Sequence, residues 1–463
     1  MSETPSSPSN PPESSQVTDN QANSNSTSSD SQTGPHRNLL ADRSFLGMIS
    51  TQFLGAFNDN LYKQLMLLMA VPVVVAGANA AGGESSDLQG WAGLVFSLPF
   101  VLFSGIAGYL SDRYSKTPII NLCKIGEIVV MLLGLLAFYS YDMLGMAGTW
   151  IVLFLMGTQS SFFGPGKYGI LPELFREEDL PRANGLILMT TFLAIIFGTV
   201  AAGLITDKLR TEDGAGQLWI GMIVAVTIAV LGTATSYMVR RVPPAHPEMK
   251  LTADCFGVSK SVRSFLMKDK ALLAALLVSS VFWLVSGIAV PVVNRLGRWF
   301  EVSDFMTSLL TASIGFGIMI GALFSSWLCR RGLGDRCVSI GLWGLFGCLV
   351  ALGIWIGEDH LLGYGGSIAA LILLGVFAAI FSIPIQVFIQ ARPPGSLKGR
   401  MIATMNQANF TGILIAGPLY QLFEAAAEGI DWPISSVFWM MALLVLPLAL
   451  LYRLKSNAPL VDA

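Results

Sequence analysis

Charge is scarce in this chain. Asp, Glu, Lys and Arg make up 13% of its 463 residues, where a soluble globular protein carries about 25%, so a water-facing surface for a body of this size is missing. The formal charge is −2. Residues 1–36 hold Glu3, Glu13, Asp19 and Asp30 with no Lys or Arg, so the remainder nets +2 and neither part is basic enough for nucleic acid. The five cysteines form no CxxC, and the three histidines (His36, His246 and His360) are scattered. That pattern excludes a zinc, haem or disulfide framework, and no cofactor or metal is expected. None of the histidines has an Asp five positions on, the pairing a glycerolipid acyltransferase base needs, because Ala41, Leu251 and Gly365 stand there. A G-x-x-x-x-G-K-[ST] phosphate loop is also missing. The chain reads as no enzyme. What is abundant is apolar surface, 53% of residues, and the composition describes a polytopic membrane protein.

Residues 1–36 contain no Phe, Leu or Ile. Such a segment cannot offset its own ordering entropy, and without an apolar h-region or an Arg-rich character it resembles neither a secretory signal nor a transit peptide. A disordered tail is expected there. Beyond it, apolar stretches of membrane-crossing length, about 17–25 residues each, recur near 45–76, 88–111, 118–141, 147–168, 184–206, 217–239, 271–294, 303–329, 337–357, 364–391, 402–424 and 433–453. Helices are favoured because a helix satisfies its own backbone groups in lipid.

Twelve spans put both termini on one side. On that side lie 22 of the 28 Lys and Arg, against four on the other, with Lys63 and Lys124 inside spans. The excess places both termini in the cytoplasm. The longest polar interruption, Arg240 to Lys270, divides the spans six and six. A shift of 218 residues lays the loop at Gly108–Arg113 on Ser326–Arg331, Arg182 on Arg400 and Phe192 on Phe410. The expectation is an all-α polytopic membrane protein with two six-helix bundles, 37–240 and 271–463, joined by a cytoplasmic linker at 241–270 and related by an axis along the membrane normal.

The turn between spans two and three reads Gly108-Tyr-Leu-Ser-Asp112-Arg113-Tyr-Ser115-Lys116. A glycine there lets helices approach closely, and Asp112 can pair with a basic group or a helix N-terminus across the bundle. This loop resembles that of the major facilitator superfamily, G-x-x-x-D-R/K-x-G/S-R/K-R/K. Gly108, Asp112, Arg113, Ser115 and Lys116 match, and Thr117 departs at the last basic position. The second copy lacks the Asp, so gating by the latch is expected to rest on the N-terminal half.

Span one carries Gln52-Phe-Leu-Gly55-Ala-Phe57-Asn58-Asp59-Asn60-Leu-Tyr62-Lys63. Asp59 and Lys63 stand near mid-membrane, where each costs at least about 2.5–3.5 kcal/mol. They are i,i+4 and either neutralise one another or face a wet passage. Asn58 and Asn60 add hydrogen-bonding capacity that favours the passage, making Asn58, Asp59, Asn60 and Lys63 candidate substrate-binding residues. Lys124 and Glu127 are a second intramembrane pair at i,i+3, structural or gating, with Lys124 close enough to the loop to snorkel. Span four ends in Gly164-Pro165-Gly166-Lys167-Tyr168-Gly169, followed by Glu173 and, at the start of span five, Arg182. The glycines and proline weaken that helix and invite a bend. Gly317-x-x-x-Gly321 and Gly353-x-x-x-Gly357 read as close helix packing.

Gly-Pro-Gly-Lys-Tyr-Gly-Ile-Leu-Pro-Glu-Leu, then Arg-Ala-Asn-Gly, with Gln-Phe-Leu-Gly-Ala-Phe-Asn-Asp-Asn in span one, resembles bacterial lysophospholipid transporters and the membrane half of proteins fused to a 2-acylglycerophosphoethanolamine acyltransferase. The resemblance implies inward movement of lysophospholipids, chiefly lysophosphatidylethanolamine, across a bacterial inner membrane by alternating access. It also implies that Asp59 and its Asn neighbours line the headgroup path, that Lys167, Glu173 and Arg182 serve the cytoplasmic gate together with the Gly108, Asp112, Arg113 and Lys116 loop, and that a separate acyltransferase is the metabolic partner. The alternative is an ion-coupled transporter of a small soluble solute, with Asp59 as the titrating group.

Overall fold

A computed structural model describes residues 39–71, 87–176, 179–211, 215–251, 257–331, 333–394 and 397–454; the tail expected over 1–36 lies outside them. Fourteen α-helices follow in order: α1 (Arg43–Ala70), α2 (Gln89–Arg113), α3 (Lys116–Tyr139), α4 (Tyr141–Gly169), the single turn α5 (Leu171–Leu174), α6 (Leu180–Leu209), α7 (Leu218–Ser236), α8 (Lys260–Lys268), α9 (Lys270–Trp299), α10 (Asp304–Arg330), α11 (Gly334–Leu352), α12 (Gly363–Ala391), α13 (Lys398–Glu428) and α14 (Ser436–Leu451). Without α5 and α8 these are twelve long helices, one at each expected span. Ten have both the length and the apolar character to cross a membrane; α14, at 16 residues, is shorter, and α1 spans 28 residues but is interrupted by Asn58-Asp59-Asn60 and Lys63-Gln64. Large apolar side chains are fully in the open on the outer helix faces, among them Met143, Leu323 and Leu451 at 81%, 72% and 83% exposure. Patches of that kind are incompatible with water and fit lipid. The protein is a multi-pass membrane protein.

Starts of helices are fixed by short acidic side chains. Asp42 accepts from the N–H groups of Ser44 and Phe45 at 2.8 and 3.1 Å, and Asp269 accepts from that of Leu272 at 3.1 Å, each satisfying donors the helix leaves open. Because Ser44 also accepts from the Arg240 N–H at 3.1 Å, the beginning of α1 and the end of α7 lie together. We call this the linker end, and the opposite one the far end. One buried apolar cluster draws only on residues 262–454; two others draw on residues 39–242.

The two sets of helices meet chiefly through α2 against α13 and α6 against α10. Gly90 and Gly417 make the first crossing possible, since a Cβ on either would fall within 2.5 Å of the other's carbonyl oxygen. Gly317 and Gly321 behave as the spacing implied, facing the α12 carbonyls of Ile372 and Val376 so closely that no side chain fits.

Two local expectations fail. The ninth span, which holds the second glycine pair, is expected to reach Gly357, but α11 stops at Leu352, where the Trp439 indole covers Gly353 and its Nε1 donates to the Val350 carbonyl at 3.1 Å. Gly357 sits instead at φ +63° in the turn of a hairpin pairing Trp355–Ile356 with Asp359–His360. Nor does α4 break at Gly164-Pro165-Gly166. It runs helical to Gly169, and its one non-helical residue is Gly145. Gly166 and Gly169 serve close packing, against Ile120 and the Lys116 stem of α3.

Candidate functional site

Asp59 lies sixteen residues after Arg43, about 24 Å along a helix that rises about 1.5 Å per residue. Its neighbours diverge, as successive residues on a helix must. Asn58 points into the α3–α7 interior, fully buried, and its amide donates to Glu127 Oε1 and the Ala225 carbonyl, both at 3.0 Å. Asp59 is half-buried on another face, where Ser160 Oγ of α4 donates to its Oδ2 at 2.7 Å while Oδ1 has no hydrogen-bond partner. Asn60 donates back to the Ala56 carbonyl at 2.8 Å. Lys63 lies over the Phe96 ring of α2, 5.6 Å from its centroid.

The i,i+4 pairing of Asp59 with Lys63 is therefore not made: among the described residues no ion pair joins them within 4.0 Å. Each turns to a different helix, and opposite charges on one face of α1 stay uncommitted to each other.

Lys124 and Glu127 do pair, with side chains 1% and 2% exposed. Snorkelling is excluded by this burial. The Lys124 stem runs between Gly55 of α1 and Gly232 of α7, its ammonium lies 5.6 Å from the Phe163 ring centroid, and Thr233 Oγ1 donates to its backbone carbonyl at 2.9 Å. Asn58, Lys124 and Glu127 thus form one buried polar knot binding α1, α3 and α7.

The loop residues divide as well. Lys116 and Glu173 form an ion pair that ties the start of α3 to α5. Arg113 donates to the Tyr109 hydroxyl at 2.5 Å and to the Met249 carbonyl at 2.9 Å, holding the linker. Asp112 offers its backbone carbonyl to the His246 N–H at 2.8 Å, but its carboxylate makes no hydrogen bond or ion pair among the described residues, so the expected cross-bundle latch is not formed here. A Cβ on Gly108 would meet nothing within 4 Å; close helix approach is not its role in this conformation. Lys167 sits 4.4 Å from the Tyr168 ring centroid, and Arg182 is exposed. In the second loop copy, Arg331 lies 3.8 Å from the Trp327 ring centroid; the side chains of Ser326 and Arg330 lie outside the described residues.

At the far end is a network centred on Asp87 and Glu424, two residues the sequence reading missed. Asp87, fully buried, accepts from the Gln89 N–H and the Tyr420 hydroxyl, both at 2.8 Å, and its carbonyl accepts from Gln421 at 2.7 Å. Arg295 stands 3.7 Å from Asp87, 3.4 Å from Glu424 and 3.5 Å from Glu428. Asn294 donates to Gln89 at 2.9 Å and accepts from Gln64 at 3.0 Å. Asp304 gathers Arg298 at 2.7 Å and Arg210 at 3.8 Å. Among the described residues, the hydrogen bonds and ion pairs that join the first six long helices to the last six all belong to this end. Glycines at the linker end, Gly108, Gly185 and Gly399, face open space. Among the described residues, the conformation is latched at the far end and has no polar tie between the two sets of helices at the other.

The sequence model of the Major Facilitator Superfamily matches residues 44–417. The chain belongs to this superfamily. Among curated relatives of this member, the lysophospholipid transporter LplT of Serratia proteamaculans is 26% identical over 398 residues, covering 84% of this chain and 90% of the relative. The protein of the same name from Salmonella typhimurium is 27% identical, covering 82% and 88%. Solved structures with the same fold include the nucleoside transporter NupG, with a TM-score of 0.62, 13% identity and coverage of 89% of this chain and 98% of that one. A D-xylose–proton symporter has a TM-score of 0.63 and 13% identity over 88% and 95%.

Signals for the missed residues were present but unread. Asp87 directly precedes an apolar run, Glu424 interrupts the end of another, and Gln159-Ser160-Ser161 is a polar triplet inside span four. Ser160 is recognisable only once α4 is known to face Asp59.

Proposed function

We propose that this superfamily member carries lysophospholipids, with lysophosphatidylethanolamine as a substrate, inward across a bacterial inner membrane by alternating access. The observation that carries the reading is the unspent pair on α1. A zwitterionic headgroup needs an anion and a cation that are not already neutralised by each other, and Asp59 with its free Oδ1, one turn from Lys63, supplies both. The acyl chain can remain against apolar helix surface or lipid. Sequence relatives bearing the lysophospholipid transporter name support the substrate class.

In this reading the excess of Lys and Arg puts the linker end and both termini in the cytoplasm, so the described conformation opens inward. Residues 37–240 and 271–463 are the two moving bodies, and 241–270 joins them. Asp59, Asn60 and Lys63 touch the headgroup, Asn58 braces them through Glu127, and Lys116, Lys167, Glu173 and Arg182 act with the Gly108–Arg113 loop at the inner gate. The product, a lysophospholipid in the inner leaflet, is a substrate for a separate acyltransferase.

Proteoliposomes with labelled lysophosphatidylethanolamine in the outer leaflet test this. Protein-dependent arrival in the inner leaflet is expected. Failure to move the lipid, with gradient-driven uptake of a soluble solute instead, would replace the proposal by the ion-coupled alternative.

A further inference from the structure

The chain leaving α7 is stitched along the start of α3. Thr117 Oγ1 donates to the Arg240 carbonyl at 2.9 Å, and Ser115 Oγ to the Val242 carbonyl at 2.6 Å. These two bonds grip alternate residues and leave Arg241 between them. The adjacent arginines then have different fates. Arg240 spends its guanidinium on the Leu174 carbonyl. Arg241 is exposed, and its guanidinium has no hydrogen-bond or ion-pair partner among the described residues.

Two cavities open beside it, of about 500 and about 330 Å³. They share Pro118, Leu122 and Arg241, so a ridge of proline and leucine divides two grooves that meet at one cation. Ile125 and Val239 wall the larger, Ile119 the smaller. Leu122 and Ile125, one turn apart on the outer face of α3, are 69% and 43% exposed, which continues the grooves onto the lipid-facing surface. Tyr237 borders one groove and Tyr114 the other, aromatic residues of the kind enriched where membrane meets water. Among the described residues no carboxylate lines either groove, so the site holds no opposite charge for an ammonium group. Asn121 lines the larger groove, and its buried Oδ1 lacks a donor.

We infer that the α3–α7 corner at the linker end is a binding site for a diacyl anionic phospholipid of the phosphate–polyol type: phosphate on Arg241, a headgroup or glycerol hydroxyl toward Asn121, and one acyl chain in each groove. Basic pockets at the cytoplasmic edge of membrane helices bind anionic headgroups in this way. The two-groove shape selects a resident diacyl lipid over the single-chain substrate, and the site lies outside the α1 face that carries the transport reading.

Native mass spectrometry of the purified full chain titrated with phosphatidylglycerol, phosphatidylethanolamine and lysophosphatidylglycerol tests the site. Phosphatidylglycerol is expected to bind best. Arg241→Ala should weaken it by about tenfold, the loss of one charge-assisted hydrogen bond, whereas Arg241→Lys should keep the preference over phosphatidylethanolamine. Leu122→Trp, which leaves Arg241 in place but blocks the shared ridge, should reduce binding of the diacyl lipid to that of the lysolipid. Equal phosphatidylglycerol binding by wild type and Arg241→Ala would overturn the proposal, as would wild-type binding of lysophosphatidylglycerol as tight as that of the diacyl lipid. Asp59→Asn separates the two sites: phosphatidylglycerol binding should persist in it, and its loss there would move the lipid into the transport path and remove the corner site.

Discussion

The two halves of the molecule share a helix plan but not an interior. The first six long helices hold Asp59, Lys63, Lys124 and Glu127 well inside the membrane-crossing stretch. The last six keep their buried charges at the ends: Asp269 with Arg392 at the linker end, 2.5 Å apart, and Arg295, Arg298, Asp304 and Glu424 at the far end. Between those ends the C-terminal interior relies on neutral contacts such as Ser279 with Asn409 at 3.0 Å. An intramembrane charge is worth its insertion cost only where a partner or a wet surface meets it. The N-terminal half meets that condition twice, once by a closed pair at Lys124–Glu127 and once by an open pair at Asp59 and Lys63. In the proposed reading, electrostatic recognition falls to the N-terminal helices, and the C-terminal helices supply an apolar wall and half of the far-end latch.

The comparison breaks most readily at Asp59. Asp59→Asn should abolish lysolipid transport in proteoliposomes, a loss of a hundredfold or more if one charged contact of about 2.7 kcal/mol disappears from the rate-limiting state, while the fold persists. Exchanging Asp59 and Lys63 should be equally damaging, because Ser160 then faces an ammonium and Phe96 a carboxylate. Near-normal transport in the exchanged variant would return the two residues to a self-neutralising structural pair.

The closed pair should fail by a different route. Glu127→Gln strands a buried ammonium and should cost about 3–5 kcal/mol of stability, seen as a large fall in Tm in detergent. Lys124→Met with Glu127→Leu removes both charges and should recover much of that loss. If the double variant is stable and transports, the knot is structural; if it is stable and inactive, the knot belongs to the passage.

At the far end the halves depend on one another. Arg295→Ala leaves Asp87 and Glu424 without their shared cation and should open this end part of the time. A cysteine placed at Gln64, which now bonds Asn294, should then react several-fold faster with an impermeant thiol reagent. An unchanged rate would mean that Tyr420, Gln421 and Asn294 hold the latch without the arginine.

Sequence periodicity and charge asymmetry reach the twelve helices because lipid leaves the backbone no other way to satisfy its hydrogen bonds. They reach helix ends less well. Gly357 closes an apolar run in the sequence, yet α11 stops five residues earlier, where a Trp439 ring from α14 covers Gly353. Pro165 reads as a break, but packing of Gly166 and Gly169 against α3 keeps α4 helical through it. The candidate site was legible as a set of residue types and not as a set of partners. Spacing alone put Asp59 with Lys63, whereas Ser160 and Phe96 come from helices about 100 and 33 positions away along the chain, and no local rule selects them. Asn58 and Asp59 are adjacent in sequence yet serve different chemistry, because a 100° turn sends one to Glu127 and the other to α4.

The smallest effect should come from the neutral interior of the C-terminal half. Ser279 Oγ donates to Asn409 Oδ1 between α9 and α13, both side chains buried. A neutral hydrogen bond of this kind contributes about 1 kcal/mol net, so Ser279→Ala should lower Tm by only a few degrees and leave transport intact. Asn409→Leu with Ser279→Ala removes donor and acceptor together and should be close to neutral, because no stranded group remains. If instead either change stopped transport with the fold preserved, Asn409 would belong to the passage, and the division between a charged half and a passive half would give way to a site shared by both.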